Sequence, residues 1–196
     1  MTAFLQRPVI EAVLFLELLF ITSLLLWARV RVFKTTNRRS VTGSYFYDPA
    51  VGLHLLVSAW SFFASDYSKI PTKIVALLLY SCSASLFIWA IRTTQDLKFA
   101  LSETPGNLIT SGAFSLSRHP FYTSYILTWL ASSLLYSSPI LWLTLTYLVA
   151  FYIYSARNEE SALLAGENGS EYQVYKQQVG MFLPRISPWL KSLSTP

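Results

Sequence analysis

Five apolar stretches constrain this chain more than any other feature, at residues 9–27, 50–64, 73–91, 121–136 and 139–156. A helix needs ~20 apolar residues to cross a hydrocarbon core of ~30 Å, so the first and third stretches qualify outright and the others are short. The expected fold is an all-α integral membrane protein of about five transmembrane helices. Only Ser137 and Ser138 part the last two stretches, which forces an antiparallel helical hairpin with both open ends on one side. Composition excludes a water-soluble globule: 53% of residues are hydrophobic and 13% charged, against roughly a quarter charged in soluble domains. Twelve Tyr and six Trp suit a chain with two headgroup-level faces. No short apolar run with a cleavage site precedes residues 9–27, so that stretch reads as a retained anchor. The 196 residues read as a single membrane domain. Residues 1–91 supply three membrane helices, and residues 92–196 hold nearly all the polar patterning.

The charge balance of +5 is an orientation signal and not a nucleic-acid footprint, because no soluble surface is available to spread a basic patch. Arg29, Arg31, Lys34, Arg38 and Arg39 crowd the first loop. Arg92, Lys98 and Arg118 lie in the third, and Arg157, Lys176, Arg185 and Lys191 follow the last stretch. Arg7, Lys69 and Lys73 fall on the other side, leaving twelve of fifteen basic residues on the face that should be cytosolic. The C-terminus is therefore expected in the cytosol, and the membrane is the endoplasmic reticulum if the source is eukaryotic. A single cysteine, Cys82, excludes a disulfide framework and a multi-cysteine metal site, and in its apolar run it reads as a small packing residue. No metal is expected. His54 reads as a packed, hydrogen-bonded core residue, and Glu11 and Glu17 as acids that pair with Ser, Thr or His54 or sit protonated.

Three polar clusters remain. The first runs from Leu108 to Tyr122: Gly112 permits a turn, Pro120 suits the first turn of the following helix, and His119 stands at the helix mouth beside Arg118. Its bland reading is an interfacial anchor, with Arg118 snorkelling to lipid phosphate and Tyr122 in an aromatic belt. The second is Arg157, Asn158, Glu159 and Glu160, which the hairpin returns to the level of Arg118 and His119 despite some 40 residues of separation. Carboxylates there suit a cationic ligand, or else a solvated salt-bridged helix. The third is a stripe of Tyr172, Tyr175, Val179 and Phe182 at helical intervals, predicting one amphipathic helix that lies on the membrane surface or folds back as a lid.

In order and spacing, five pieces resemble the isoprenylcysteine carboxyl methyltransferase family of integral membrane methyltransferases. They are Leu108-Ile-Thr-Ser-Gly112, Arg118-His-Pro-Phe-Tyr122, the hairpin, Glu159-Glu160 with Leu163, and Tyr172-x-x-Tyr175 with Val179 and Leu183-Pro184. The resemblance covers residues 92–190. It implies S-adenosyl-L-methionine bound at the cytosolic face, cytosolic C-terminal helices covering that site, and a lipophilic acceptor entering sideways from the bilayer. Carried over by position, Asn107, Leu108, Ile109, Phe114, Arg118, His119, Pro120, Phe121, Tyr122, Glu159 and Glu160 are the cofactor contacts. The chemistry agrees: Glu159 or Glu160 can pair the donor's α-ammonium, His119 or Arg118 can meet its carboxylate, and Leu108, Ile109 and Phe114 can enclose adenine.

The implied reaction is carboxyl O-methylation of a prenylated cysteine, or methylation of a small lipophilic acid or alcohol. A carboxylate is already ionised at neutral pH, so no catalytic acid or base is assigned, and alignment can supply effective molarities of ~10⁵–10⁸ M. For a hydroxyl or amine acceptor His119 is the first candidate base. Three departures stand out. Ser155 occupies the place of a family arginine suited to gripping an acceptor carboxylate, and Arg157 lies roughly 160° away around the helix, so both are candidate acceptor contacts. Residues 165–170 replace the usual aromatic-Gly, and Thr123 replaces a small residue. The alternatives are an NADPH-dependent sterol-type membrane reductase, whose C-terminal halves also carry an Arg-His-Pro-x-Tyr segment, and a non-enzymatic membrane scaffold.

Overall fold

A computed structural model describes residues 9–31, 44–64, 69–96 and 108–185. They form seven helices: α1 (Val9–Arg31), α2 (Ser44–Ala64), α3 (Ile70–Asp96), α4 (Ala113–Leu116), α5 (Pro120–Tyr136), α6 (Pro139–Leu164) and α7 (Gly169–Gln178). No strand occurs among the described residues. Three segments are long and apolar enough to cross a membrane: Val9–Trp27, Ile70–Thr94 and Pro139–Leu164. The second and fourth apolar stretches are also helical, as α2 and α5, but do not reach that standard. Helices outrun the apolar stretches wherever good helix formers follow them. α6 continues past Ala156 through Arg157, Glu159 and Glu160 to Leu164, because Arg, Glu, Ala and Leu all favour the helix while hydropathy marks only its contact with lipid. The two-serine connection is tight. Ser137 adopts φ 50° and donates its N–H to the Ser133 carbonyl at 2.9 Å, and Pro139 opens α6 where a missing N–H costs nothing.

The chain divides into two compact units, each assembled from two stretches of sequence. One comprises Met1–Ser85 and Ser124–Tyr152. Leu14, Leu18 and Ile21 of α1 pack there with Ala76 and Tyr80 of α3 and Ala131 and Leu135 of α5. Lipid tails are as apolar as leucine, so close packing of small residues and interhelical hydrogen bonds, not the hydrophobic effect, must join such helices. Ser83 reaches the Ser124 carbonyl and Thr128 Oγ1, both at 2.7 Å. His54 is fully buried, with Nδ1 2.7 Å from Thr144 Oγ1 and Nε2 2.6 Å from Ser132 Oγ, the packed role expected of it. Glu17 accepts from Ser81 at 3.1 Å, whereas Glu11 pairs with Lys73 at 2.5 Å. From the sequence that lysine reads only as a topology signal. Cys82 is exposed rather than packed inside; in a membrane helix the lipid-facing and buried faces are equally apolar, so the run around it could not tell them apart.

The other unit comprises Leu86–Thr123 and Ile153–Pro196. Leu86 and Ala90 of α3 and Ala113 of α4 are buried together, with Phe121 packed against them. Phe121 meets Phe87 edge-on at 5.4 Å. All the polar clusters of the C-terminal half lie in this unit.

Candidate functional site

The chain enters the site through residues 108–112, with Ile109 buried and Leu108 half-buried. Gly112 then turns with φ 59° into α4. An added Cβ here meets the side chain of Thr93, whose Oγ1 accepts the Ala113 N–H at 3.4 Å. Gly112→Ala is therefore expected to destabilise the protein by about 1–3 kcal/mol from the positive-φ backbone alone, plus the cost of displacing Thr93. Thermal unfolding in detergent checks this, and Thr93→Ala in the same chain should relieve only the steric part.

Beyond α4 the chain presents Arg118 and His119, both buried, just ahead of α5. Arg118 is wholly engaged. Its Nε and Nη2 meet Glu160 Oε1 at 2.9 and 2.8 Å, and Nη1 donates to the carbonyls of Lys176 at 3.1 Å and Val179 at 2.5 Å. The other Glu160 oxygen takes Lys176 Nζ at 2.9 Å. Arg118 is thus an internal clamp and not a snorkelling anchor: the arginine and glutamate side chains are 6% and 2% exposed. Buried carboxylates persist when cations and donors satisfy them in this way.

His119 stands between the two acids. Its Nδ1 lies 3.4 Å from Glu159 Oε2 and its Nε2 3.3 Å from Glu160 Oε1. The ring stacks on Tyr122 with centroids 5.6 Å apart, and the Tyr122 hydroxyl donates to Glu159 Oε1. Glu159 differs from its neighbour in one respect that matters chemically: its side chain is 52% exposed. It is an accessible carboxylate framed by a histidine and a tyrosine.

The C-terminal stripe is not one helix. α7 ends at Gln178, and Val179 turns extended at φ −111°, ψ 138°. Residues 179–183 then run as irregular backbone along the start of α5. The carbonyl of Gly180 accepts the Arg118 N–H at 2.9 Å and that of Met181 accepts the His119 N–H at 3.1 Å. Ser117 Oγ also donates to the Met181 carbonyl at 2.9 Å, and Thr123 Oγ1 donates to that of Phe182 at 3.1 Å. The helix stops because Gly180 has a poor helix propensity and the backbone bonds to residues 117–123 compete with continuing the ladder. Tyr172 and Tyr175 stay on α7 and are buried. Burial, reinforced by the Glu160 charge, pushes the Tyr172 hydroxyl up to about 12. Burial pushes Tyr175 well above the ordinary phenol range.

The structure brings Arg118, His119, Tyr122, Glu159 and Glu160 into one cluster, although α5 and α6 separate the two halves in sequence. Pro120 is buried beside them, and Phe121 and Phe114 meet edge-on at 6.3 Å. Asn107 lies outside the described residues. Ser155 is buried while Arg157 is exposed on another face of α6, as the helical angle requires. Sequence reasoning passed over Lys176 as a partner of Glu160, and Ser117 and the carbonyls of residues 176–182 as partners of the Arg-His segment. Ser117 and Thr123 flanking that segment were the available sign; main-chain carbonyls leave none.

Residues 71–165 match the family of phospholipid methyltransferases. That family belongs to the same group of integral membrane methyltransferases as the isoprenylcysteine carboxyl methyltransferases, so the resemblance read from the sequence holds at the level of the group. No curated protein and no solved structure matches the chain. The match spans α3 to the end of α6, thereby including the Arg-His segment and both acids. The match covers just under half of the chain, and the three membrane-length apolar helices support an integral membrane protein.

Proposed function

We propose, on the premise of that kinship with phospholipid methyltransferases, that the protein moves the methyl group of S-adenosyl-L-methionine onto a lipid-type acceptor at a membrane face. The observation that carries the reading is Glu159, a half-exposed carboxylate held by His119 and Tyr122. Its chemistry fits the donor: an acid accessible from outside suits a sulfonium or α-ammonium group, and Ile109 and Phe114 offer apolar surface for adenine. When bound, the donor supplies an electrophilic methyl on sulfur.

The chain's own residues divide the work. Among the two acids, Glu159 is the candidate partner of the ammonium, because Arg118 and Lys176 already occupy Glu160. Between the two cations that the resemblance offers the donor carboxylate, Arg118 is taken up by Glu160 and two carbonyls, and His119 can serve by releasing its 3.4 Å contact with the exposed Glu159. Leu108, Pro120, Phe121 and Asn107 complete the contact set that the family resemblance implies. Residues 179–183 close over the Arg-His backbone and keep water from it.

The acceptor is lipophilic and reaches the site from the bilayer. Ser155 offers a hydroxyl rather than a cation to its headgroup, and Arg157 offers a cation on an exposed face. A prenylated cysteine or other lipophilic acid needs no base, while a lipid hydroxyl or amine would use His119. Five crossings, a cytosolic C-terminus and, in a eukaryote, the endoplasmic reticulum complete the reading, supported by the distribution of Lys and Arg. The family match favours this over an NADPH-dependent reductase or a passive scaffold. Calorimetry on the full chain in detergent tests it: S-adenosyl-L-methionine should bind, and NADPH binding without it would sink the proposal.

A further inference from the structure

α4 is a single turn of four residues, too short for cooperative helix formation to hold it. Its place depends on tethers from outside. The Ala113 N–H reaches Thr93 Oγ1 at 3.4 Å, a long bond. A much shorter one comes from α7, where the Tyr175 hydroxyl donates to the Phe114 carbonyl at 2.6 Å. Tyr175 is 6% exposed. The end of α7 is itself fixed, because the Arg118 guanidinium bonds the carbonyls of Lys176 and Val179 while Lys176 Nζ reaches Glu160. A continuous set of bonds therefore leads from Glu160 through Arg118 and α7 to the backbone that carries the Phe114 ring. All of it lies within one compact unit.

We propose that Tyr175 is a positioning residue for the methyl donor: its hydroxyl fixes the Phe114 carbonyl and, through it, the ring on which adenine rests. This deepens the proposed function and depends on Phe114 being an adenine contact. Tyr175 acts through Phe114: its one O–H goes to the Phe114 carbonyl and its side chain is buried. Burial keeps that O–H a donor through the neutral range.

The test uses the full chain in detergent or nanodiscs as wild type, Tyr175→Phe, Phe114→Ala and the double variant. Tyr175→Phe keeps the buried ring and removes only the hydroxyl. It is expected to weaken S-adenosyl-L-methionine binding about five- to tenfold, the scale of one lost hydrogen bond. The donor KM should rise in step, with kcat at saturating donor changed by less than about twofold. In the Phe114→Ala background the same substitution should weaken binding no further. Unchanged affinity in Tyr175→Phe, or an effect that adds in full to Phe114→Ala, overturns the proposal. Amide exchange over residues 111–117 reads the tether without donor, and should quicken in Tyr175→Phe. Unchanged exchange overturns the tether whatever the donor does. If exchange quickens but the wild type binds no donor, the functional reading has failed and the positioning role falls with it.

Discussion

Arg118→Met is expected to be the most damaging single substitution in the described chain, lowering stability by about 3–5 kcal/mol. Methionine keeps much of the arginine stem, so the loss is mainly electrostatic. Glu160 would be left 2% exposed with Lys176 as its one remaining full cation, and two carbonyls would lose the guanidinium. An ion pair buried this deeply contributes little over an apolar pair, because desolvation offsets attraction, but removing one partner strands the other. The double variant Arg118→Met/Glu160→Leu should therefore be more stable than the sum of its singles implies. Thermal unfolding in detergent measures both. Additive losses would mean that Arg118 and Glu160 do not depend on each other, contrary to the geometry.

The second large effect is on ligand binding without loss of fold. Glu159→Gln removes a half-exposed carboxylate whose hydrogen bonds at a surface contribute little to stability. It should unfold within a degree or two of the wild type yet bind S-adenosyl-L-methionine at least about tenfold more weakly, since a bond to a charged group is worth more than a neutral one. His119→Ala should weaken binding comparably. It also removes a ring stacked on Tyr122 and edge-on to Phe182, so some loss of stability accompanies it. Glu160→Gln should behave in the opposite way to Glu159→Gln, lowering stability first and binding only as a consequence. Calorimetry and thermal unfolding on the same preparations separate the two acids. Equal behaviour of Glu159→Gln and Glu160→Gln would contradict the division of labour between them.

Much of this was legible in the sequence, and what was not has physical reasons. Apolar runs marked each of the five long helices, and two serines between the last two implied that Glu159 and Glu160 return to Arg118, which the 2.8 Å contact between Arg118 and Glu160 realises. Which acid faces inward was not legible, because adjacent residues on a helix differ by ~100° and nothing in the pair itself sets the rotation. The stripe from Tyr172 to Phe182 kept helical spacing past the point where the helix ends. There, Gly180 and main-chain bonds to residues 117–123 decide the path, and such bonds carry no residue signature. Lys73 looked like a loop charge and proved a buried partner of Glu11, since a lysine at the start of a span can turn inward as readily as outward.

The most direct test of the central claim is transfer of labelled methyl from S-adenosyl-L-methionine in membranes containing the full chain, followed by separation of protein, lipid and small organic extracts. The expected result is label in the lipid-soluble fraction, lost in Glu159→Gln and His119→Ala. Base-labile label there would identify a carboxylate acceptor, and base-stable label an amine or hydroxyl. No transfer by a folded preparation supplied with total membrane lipid would contradict the account.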